Sequence, residues 1–584
     1  MIRIRGLLLV LFLATGCGGG GLETPDISAQ TETPSRFPNF LGPCDVVPGA
    51  LCGTYEVWEN RQAAKGRRIE LYLVVLPATG EGPVGPPVFP LAGGPGQAAA
   101  EGAGFIAGML SAVRPSHDLV LVDQRGTGSS HPLDCAEPGP DVPLQAVLDD
   151  FRSREFVSTC LEAQDADVRF YTTDDAVKDL EEIRQVFGYD QISLTGGSYG
   201  TRVALHYLRK YPEHVFAAVL DGVAPPSNSS VAPFAKAFEA TLAAVFDACR
   251  EDPDCRSLIP DPEATWAEAL SQFSLGTLTT EATHPGTGQT ERVTLVRGDF
   301  VDGVRRSLYV ANRWPDTMRT ILAASKGDFD PYVENEYASQ RGIRSFISLG
   351  MLLSVSCTES LPGLSDETAV AAAVTGTSLG DHRVRTLREA CSAWEHGDLP
   401  EGWNDPITSD VPVLMLSGLL DPATPPWLAE EVARHLPNKL HLLIPNRSHG
   451  PGDFQCEAAI VQQFLETGTW EGIDTSCINE TTLPPFGAVQ GEATVEEVTV
   501  DVAILETYVG KYQVQPGFAI EIVLEDGQLF AVPPGQPKEQ LRPESMDTFY
   551  VAGIRQRMTF LKNESGVVDR FTIPNGPTAK RIDP

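Results

Sequence analysis

The clearest order in this sequence is the way apolar and polar side chains alternate. From Arg68 to Leu76 charged and apolar residues take turns, the two-residue period of a strand with one covered face. Val88 to Leu91, Leu119 to Val122, Gln191 to Leu194 and Ala217 to Leu220 are short runs of β-favouring residues. Between them the period lengthens: Val177, Leu180, Ile183, Val186 and Phe187 predict a helix over Ala176 to Phe187. Strands alternating with helices imply a mostly parallel sheet covered on both faces. The same rhythm resumes with Val411 to Leu416, the helical Trp427 to Leu436, and Leu440 to Ile444. What interrupts it, about residues 225–353, is dominated by helical patterns such as Phe234 to Cys249, Glu263 to Phe273 and Phe300 to Tyr309. Its place between sheet strands makes it an inserted helical cap.

Beyond about Pro484 the pattern changes to short alternating strands, with turns at Asp526-Gly527, Pro533-Pro534-Gly535 and Asn575-Gly576 and no long helix. The expected organisation is therefore a large α/β unit over 39–483 and a small all-β unit over 484–584. There is no solenoid repeat and no glycine-rich phosphate loop ending in Lys-Ser or Lys-Thr.

Residues 1–17 carry a basic start, an apolar stretch too short for a stable span, and small residues before a cysteine, which reads as an export signal. Leu13-Ala14-Thr15-Gly16-Cys17 resembles a bacterial lipobox, with alanine at 14 where leucine is usual. The resemblance implies acylation at Cys17, a lipid anchor and a place in the bacterial cell envelope; a plain cleavable signal remains the alternative. Residues 18–38, rich in Gly, Thr, Pro, Ser and Glu, are too poor in apolar surface to order themselves and form a tether. Ser345 to Val355 is the next most apolar segment, and it is short enough to read as core.

Setting Cys17 aside leaves ten of the 11 cysteines. Neighbouring pairs are expected, Cys44 with Cys52, Cys135 with Cys160, Cys249 with Cys255, Cys357 with Cys391 and Cys456 with Cys477, in an oxidising compartment. No Cys-x-x-Cys or His-Cys cluster suggests zinc, and no metal or other cofactor is expected. With 44 basic against 78 acidic residues the net charge is −34, which repels phosphate and excludes nucleic acid as a partner. An acidic field would attract substrates carrying a free amine, although keeping an exported protein soluble is the simpler role for the charge.

The strongest chemical signal is Leu194-Thr-Gly-Gly-Ser-Tyr-Gly200, directly after a strand and directly before a helical run, Thr201 to Lys210. A nucleophile on such a sharp strand-to-helix turn needs small neighbours, which gives Gly196 and Gly200 a steric purpose and makes Ser198 the candidate nucleophile. A serine hydroxyl becomes reactive near neutral pH when an imidazole takes its proton and an acid fixes that imidazole. His449 follows the strand Leu440 to Ile444, and Asp421 follows Val411 to Leu416, in the chain order Ser, acid, His that this arrangement requires. Asp221, after its own strand, is the competing acid. For a developing oxyanion the candidate donors are the amides of Tyr199 and of Gly94, in the loop Ala92-Gly-Gly-Pro-Gly96, where Pro95 has no amide hydrogen.

Gly93-Gly-Pro-Gly96, Asp123-Gln-Arg-Gly-Thr-Gly-Ser129, Gly196-Gly-Ser-Tyr-Gly200, Asp421 within Gly-x-x-Asp-x-x-Thr-Pro, and Ser448-His-Gly450 together resemble the secreted tripeptidyl aminopeptidase and prolyl iminopeptidase relatives of the α/β-hydrolases. The likeness covers roughly Pro43 to Cys477. It implies an α/β-hydrolase fold and release of short peptides or single residues from a free peptide N-terminus, through an acyl-enzyme and without metal. Such an enzyme needs an acid for the substrate's ammonium, because a buried unpaired amine is costly. Glu359, in Ser356-Cys-Thr-Glu359, is the candidate, with an ordinary surface carboxylate as its alternative. Asp123 and Arg125 are expected to form an ion pair that orders the floor of the site. The tail, with Tyr508-Val-Gly-Lys-Tyr512 and Ala579-Lys-Arg-Ile582, resembles small lipocalin-like β modules. The competing readings are an esterase using the same three residues and a binding protein on the same scaffold. Oligomeric state is not written in these patterns.

Overall fold

Nine strands build the main sheet: β1 (Gly42–Pro43), β2 (Leu51–Trp58), β3 (Arg68–Leu76), β4 (Val88–Leu91), β5 (Leu119–Val122), β6 (Ile192–Gly197), β7 (Val215–Asp221), β10 (Val413–Gly418) and β11 (Lys439–Ile444). The computed structural model describes residues 36–582 other than 81, 137–141, 227–230, 286, 451–453, 484, 487–497, 516–517, 526, 533–537, 552–555, 564 and 574–577. The export signal with Cys17, the tether up to residue 35, and the turns at Pro533-Pro534-Gly535 and Asn575-Gly576 lie outside the described residues. The strand order is β1-β2-β3-β5-β4-β6-β7-β10-β11. The first four neighbours in that order pair antiparallel, and from β5 onward every pairing is parallel. Strands β4, β5 and β10 are buried along their whole length, which is why they read as unbroken apolar runs rather than alternating ones.

Parallel register brings the ends of four strands level. Gly197 lies opposite Asp221, Leu416 opposite Asp221, and Gly418 opposite Ile444. The residues that follow β6, β10 and β11 therefore emerge along one edge of the sheet. A core joining Val88, Ala103, Leu121, Leu414, Ile444 and Phe464 packs the helices Ala103–Met109 and Phe454–Thr467 onto the strands. The helix predicted from Ala176 begins earlier, at Thr173, because the Thr172 hydroxyl accepts from the Asp175 amide and Asp174 and Asp175 complement the helix's positive end.

Between β7 and β10 the chain forms the cap, with helices that include Phe234–Glu251, Pro262–Ser271, Arg297–Ser307, Trp314–Ser325 and Asp330–Phe346. They share a core of their own, with Phe238, Trp266, Phe300, Trp314, Ile321 and Phe329 buried in it. The cap also contains an antiparallel hairpin, β8 (Thr277–Thr283) and β9 (Thr290–Val296), which the helical reading of this segment does not include. The hairpin's side chains alternate between exposed and covered, but Ala282, Val293 and Leu295 alone are buried, so the apolar face is small. Of Ser345 to Val355 the helix Leu349–Val355 is interior, burying Leu349, Met351, Leu353 and Val355, whereas Phe346 is exposed.

The C-terminal unit is a closed barrel of eight antiparallel strands, β12 (Gly510–Gln515), β13 (Phe518–Glu525), β14 (Gln528–Val532), β15 (Glu539–Pro543), β16 (Thr548–Val551), β17 (Gln556–Lys562), β18 (Val568–Thr572) and β19 (Thr578–Arg581). Pairing of β12 with β19 removes both sheet edges. Its interior is filled by Tyr508, Tyr512, Phe549, Met558, Phe560 and Phe571. All five expected disulfides are present, 44–52, 135–160, 249–255, 357–391 and 456–477. Among the described residues no helix is long and apolar enough to cross a membrane.

Candidate active site

Ser198 stands between β6 and the helix Tyr199–Lys210 with φ 54° and ψ −122°, a conformation that non-glycine residues rarely hold. The turn is possible because its flanks are bare. A Cβ on Gly196 would lie 2.5 Å from the Gly200 carbonyl oxygen, and one on Gly200 would lie 2.2 Å from that of Leu91. The backbone is fixed from the next strand as well, since the Ser198 amide donates to the Asp221 carbonyl at 2.8 Å.

The loop after β11 brings His449 to this turn. Its Nε2 lies 3.1 Å from Ser198 Oγ, and its Nδ1 lies 2.9 and 3.0 Å from the two carboxylate oxygens of Asp421. Asp421 is buried, and its Oδ1 accepts the amides of Ala423 and Thr424, both at 2.8 Å. The Thr424 hydroxyl donates to Asp421 Oδ2 at 2.7 Å and sits 3.1 Å from His449 Nδ1, so it caps the carboxylate beside the imidazole. The sequence reading missed Thr424; the Asp-Pro-Ala-Thr spacing, a carboxylate followed three residues on by a hydroxyl, was the available signal. Burial opposes the imidazolium form, but the charge and hydrogen bond of Asp421, with a further contribution from Asp221, hold the His449 pKa above its ordinary value. Burial likewise opposes ionisation of Asp421, and His449 and Thr424 overcome it and hold the carboxyl below its usual range.

Asp221 is engaged elsewhere. Its carboxylate accepts from Arg447 Nη2 at 2.6 Å, two residues before the histidine, so it anchors the histidine loop while Asp421 contacts the ring. In the Gly-Gly-Pro-Gly loop the Gly93 amide donates to Gln97 Oε1 at 3.1 Å, and a Cβ on Gly93 would lie 3.5 Å from Ser198 Cβ. That loop thus runs alongside the nucleophile, with the amide before Gly94 already taken. Tyr199 begins its helix directly after Ser198, and its phenol bonds the Thr173 hydroxyl at 2.6 Å.

Glu359 lies in a single wide helical turn, Ser356–Ser360, with its side chain fully enclosed. Thr173 donates its amide to Oε1 at 2.7 Å and its hydroxyl to Oε2 at 2.9 Å, and Arg202 Nη1 is 3.9 Å from Oε2. Burial pushes the carboxyl up to about 7. The structure therefore encloses Glu359, which excludes the surface-carboxylate alternative, and joins it through Thr173 to Tyr199, the residue after Ser198.

The expected pair of Asp123 and Arg125 is corrected. Arg125 is buried and donates from Nε and Nη2 to the two oxygens of Asp179 at 2.6 and 2.7 Å, as well as to the carbonyls of Glu59 and Phe170. Asp123 instead accepts the amides of Ala100 and Ser129, at 2.7 and 3.1 Å. Residues two apart share one face of a segment only while it stays extended, and here the chain turns immediately after β5, which separates Asp123 from Arg125. Asp123 therefore organises the loops on its own side, and burial pushes its carboxyl up to about 7.

A cavity of about 300 Å³ opens beside Gly96 and is lined by Ala98, Glu101, Asp134, Arg344 and Ile347 among others. Burial and the neighbouring charge of Asp134 push the Glu101 carboxyl up. Ligand atoms of Asp150, from the segment between β5 and β6, and of Asp299 and His382, from the cap, come within 4.8 Å of one another, a group the sequence reading did not single out. Arg152 Nη1 already donates to Asp150 at 2.9 Å, and His382 Nε2 lies 2.8 Å from Asp299 Oδ1, so these groups are engaged with one another.

Residues 86–453 match the α/β hydrolase fold family, and residues 495–583 match a domain of unknown function. A protein named serine protease Hip1 from Mycobacterium tuberculosis is 27% identical over 480 residues, which span 74% of this chain and 89% of that protein. A tripeptidyl aminopeptidase of Streptomyces lividans is 31% identical over 127 residues, 20% of this chain and 24% of its own. A proline iminopeptidase of Neisseria gonorrhoeae is 32% identical over 143 residues, 24% of this chain and 34% of its own.

Proposed function

This chain belongs to the α/β hydrolase fold family, and from that premise we propose that it is a serine exopeptidase that releases short peptides or single residues from free peptide N-termini. The observation that carries the reading is the 3.1 Å approach of His449 Nε2 to the hydroxyl of Ser198 on its strained turn, with Asp421 behind the imidazole. Relatives named as a serine protease and as aminopeptidases favour peptides over other acyl substrates.

In the proposed reaction His449 Nε2 takes the proton from Ser198 Oγ as Oγ bonds the carbonyl carbon of the substrate. The carbonyl oxygen gains the negative charge and is met by the amides of Gly94 and Tyr199, at the positive end of the helix that Tyr199 begins. His449 then gives its proton to the departing amine nitrogen, the C–N bond breaks, and the N-terminal fragment remains as an ester on Ser198. Water repeats the sequence: His449 takes its proton, the oxygen attacks, and the fragment leaves as a free acid while Ser198 recovers its hydrogen. Asp421, fixed by three hydrogen bonds from Ala423 and Thr424, holds one tautomer of His449 and stabilises its charged form. The base works only when neutral. Because its pKa stands above the ordinary 6.5, the acid limb of kcat/KM has its midpoint above pH 6.5.

A free ammonium suits the cavity beside Gly96, where Glu101 and Asp134 outnumber Arg344. Export and acylation at Cys17 complete the proposal; five disulfides suit an oxidising compartment, and Cys17→Ser is expected to abolish incorporation of an alkynyl fatty acid in cells. The decisive experiment is digestion of a peptide library with free and acetylated N-termini, read by mass spectrometry. Cleavage of the free set alone is expected. Equal cleavage of both sets refutes the exopeptidase reading, and failure of Ser198→Ala to abolish fluorophosphonate labelling moves the nucleophile elsewhere.

A further inference from the structure

We propose that the cap helix Arg297–Ser307 helps to hold the general base, with Tyr309 as a positioning residue for His449. The inference rests on the Ser198, His449 and Asp421 reading above. A helix ends with carbonyls that have no partner within it. Here the two carbonyls just past the helix, those of Leu308 and Tyr309, are taken by the two residues that flank the histidine: the Ser448 hydroxyl donates to Leu308, and the Gly450 amide donates to Tyr309 at 2.7 Å. His449 is thus suspended between two hydrogen bonds to consecutive cap residues. The Tyr309 ring packs on the imidazole as well, with centroids 4.8 Å apart and planes inclined at 52°.

The tyrosine is held in its turn. Arg305, buried one helical turn earlier, donates from Nη1 to the Tyr309 phenol oxygen at 2.6 Å. Its Nε donates to Asp302 at 2.8 Å, and its guanidinium lies 4.4 Å over the ring of Phe234. A planar cation bound on three sides has no freedom to follow a moving phenol, so the ring position is set by the cap's own core. Asp421 and Thr424 meet the imidazole at Nδ1 and Ser198 meets it at Nε2, but contacts made at the two ring nitrogens leave tilt about the line between them open. Tyr309 and the two flanking hydrogen bonds close it. The cap is therefore a structural part of the base, and lifting it away would cost the alignment of His449 with Ser198.

A residue that acts through the base changes turnover for every acyl substrate, whereas a pocket wall changes affinity for some. Tyr309→Leu is expected to lower kcat by about 10- to 100-fold for both a free-amine peptide p-nitroanilide and p-nitrophenyl acetate, with KM moving by less than about twofold. Tyr309→Phe keeps the ring and is expected to recover to within about threefold of the native kcat. Unchanged kcat in a folded Tyr309→Leu protein, or a loss confined to the peptide's KM, overturns the proposal. If the leucine variant does not fold, Ser448→Ala decides, with a fall in kcat of about three- to tenfold expected and no change overturning it. Fluorophosphonate labelling of the native protein separates the two levels of argument. Absence of label on Ser198 is a failure of the active-site reading, while normal label with native turnover in the variants is a failure of the positioning role alone.

Discussion

The edge of the main sheet and the interior of the C-terminal barrel treat buried polar chemistry in opposite ways. In the α/β unit Asp421, Glu359 and Asp123 are buried and His449 is half-buried, all four with displaced pKa values, and Ser198 holds an unfavourable backbone conformation. In the barrel the interior is aromatic, and its two phenols bond to backbone carbonyls, Tyr508 to Met546 at 2.6 Å and Tyr512 to Tyr508 at 2.9 Å. Phe560 stacks 4.5 Å from Tyr508 and meets Phe549 and Phe571 edge-on. One region holds ionisable side chains; the other holds side chains without charge. Among the described residues, the rings of Tyr508, Tyr512, Phe549, Phe560 and Phe571 pack together inside the barrel.

The contrast can be tested by exchanging what each region loses. Asp421→Asn keeps the geometry but removes the charge that fixes the tautomer of His449, and kcat is expected to fall by about ten-thousandfold with little change in Tm. A loss below tenfold, measured on an activated ester, would mean that another acid serves the imidazole. Phe560→Ala opens the barrel's aromatic centre and is expected to cost about 3–5 kcal/mol of that unit's stability, seen as an earlier calorimetric transition while turnover at low temperature holds. Loss of turnover in step with the barrel's melting would show that the two regions are not separable.

Two smaller effects sharpen the same point. The folded state keeps the Glu359 proton more tightly than the unfolded chain does, since its pKa is raised from 4.5 to about 7. The stability this contributes is complete below the unfolded value and is lost as pH rises through the folded one. Glu359→Gln is therefore expected to shift Tm in the variant's favour between pH 5 and pH 8, and a Tm difference independent of pH excludes the buried carboxyl as the cause. Ser198→Gly relieves the positive φ and should stabilise the protein by about 1 kcal/mol while abolishing labelling; a lower Tm would place the strain elsewhere.

Legibility followed locality. Ser198 was readable because strand, glycines and helix lie within a dozen residues, and Asp421 and His449 because each follows its own strand. The partner of Arg125 was not readable, because Asp179 comes from a helix 54 residues away and only the sheet brings it near. Glu359 carried no mark of enclosure in its neighbours Cys357 and Thr358; its burial depends on Thr173 and Arg202, which arrive from two other helices. The cap hairpin failed for a different reason: most of its side chains face water, so the pattern that announces a strand is faint.

The five cystines succeed one another along the chain without nesting or crossing, each closing a loop of 6 to 34 residues before the next begins. From Cys44 onward, pairing each cysteine with the next one along the chain therefore gives every one of these bonds. The barrel, which follows the last cystine, must then complete itself by packing alone.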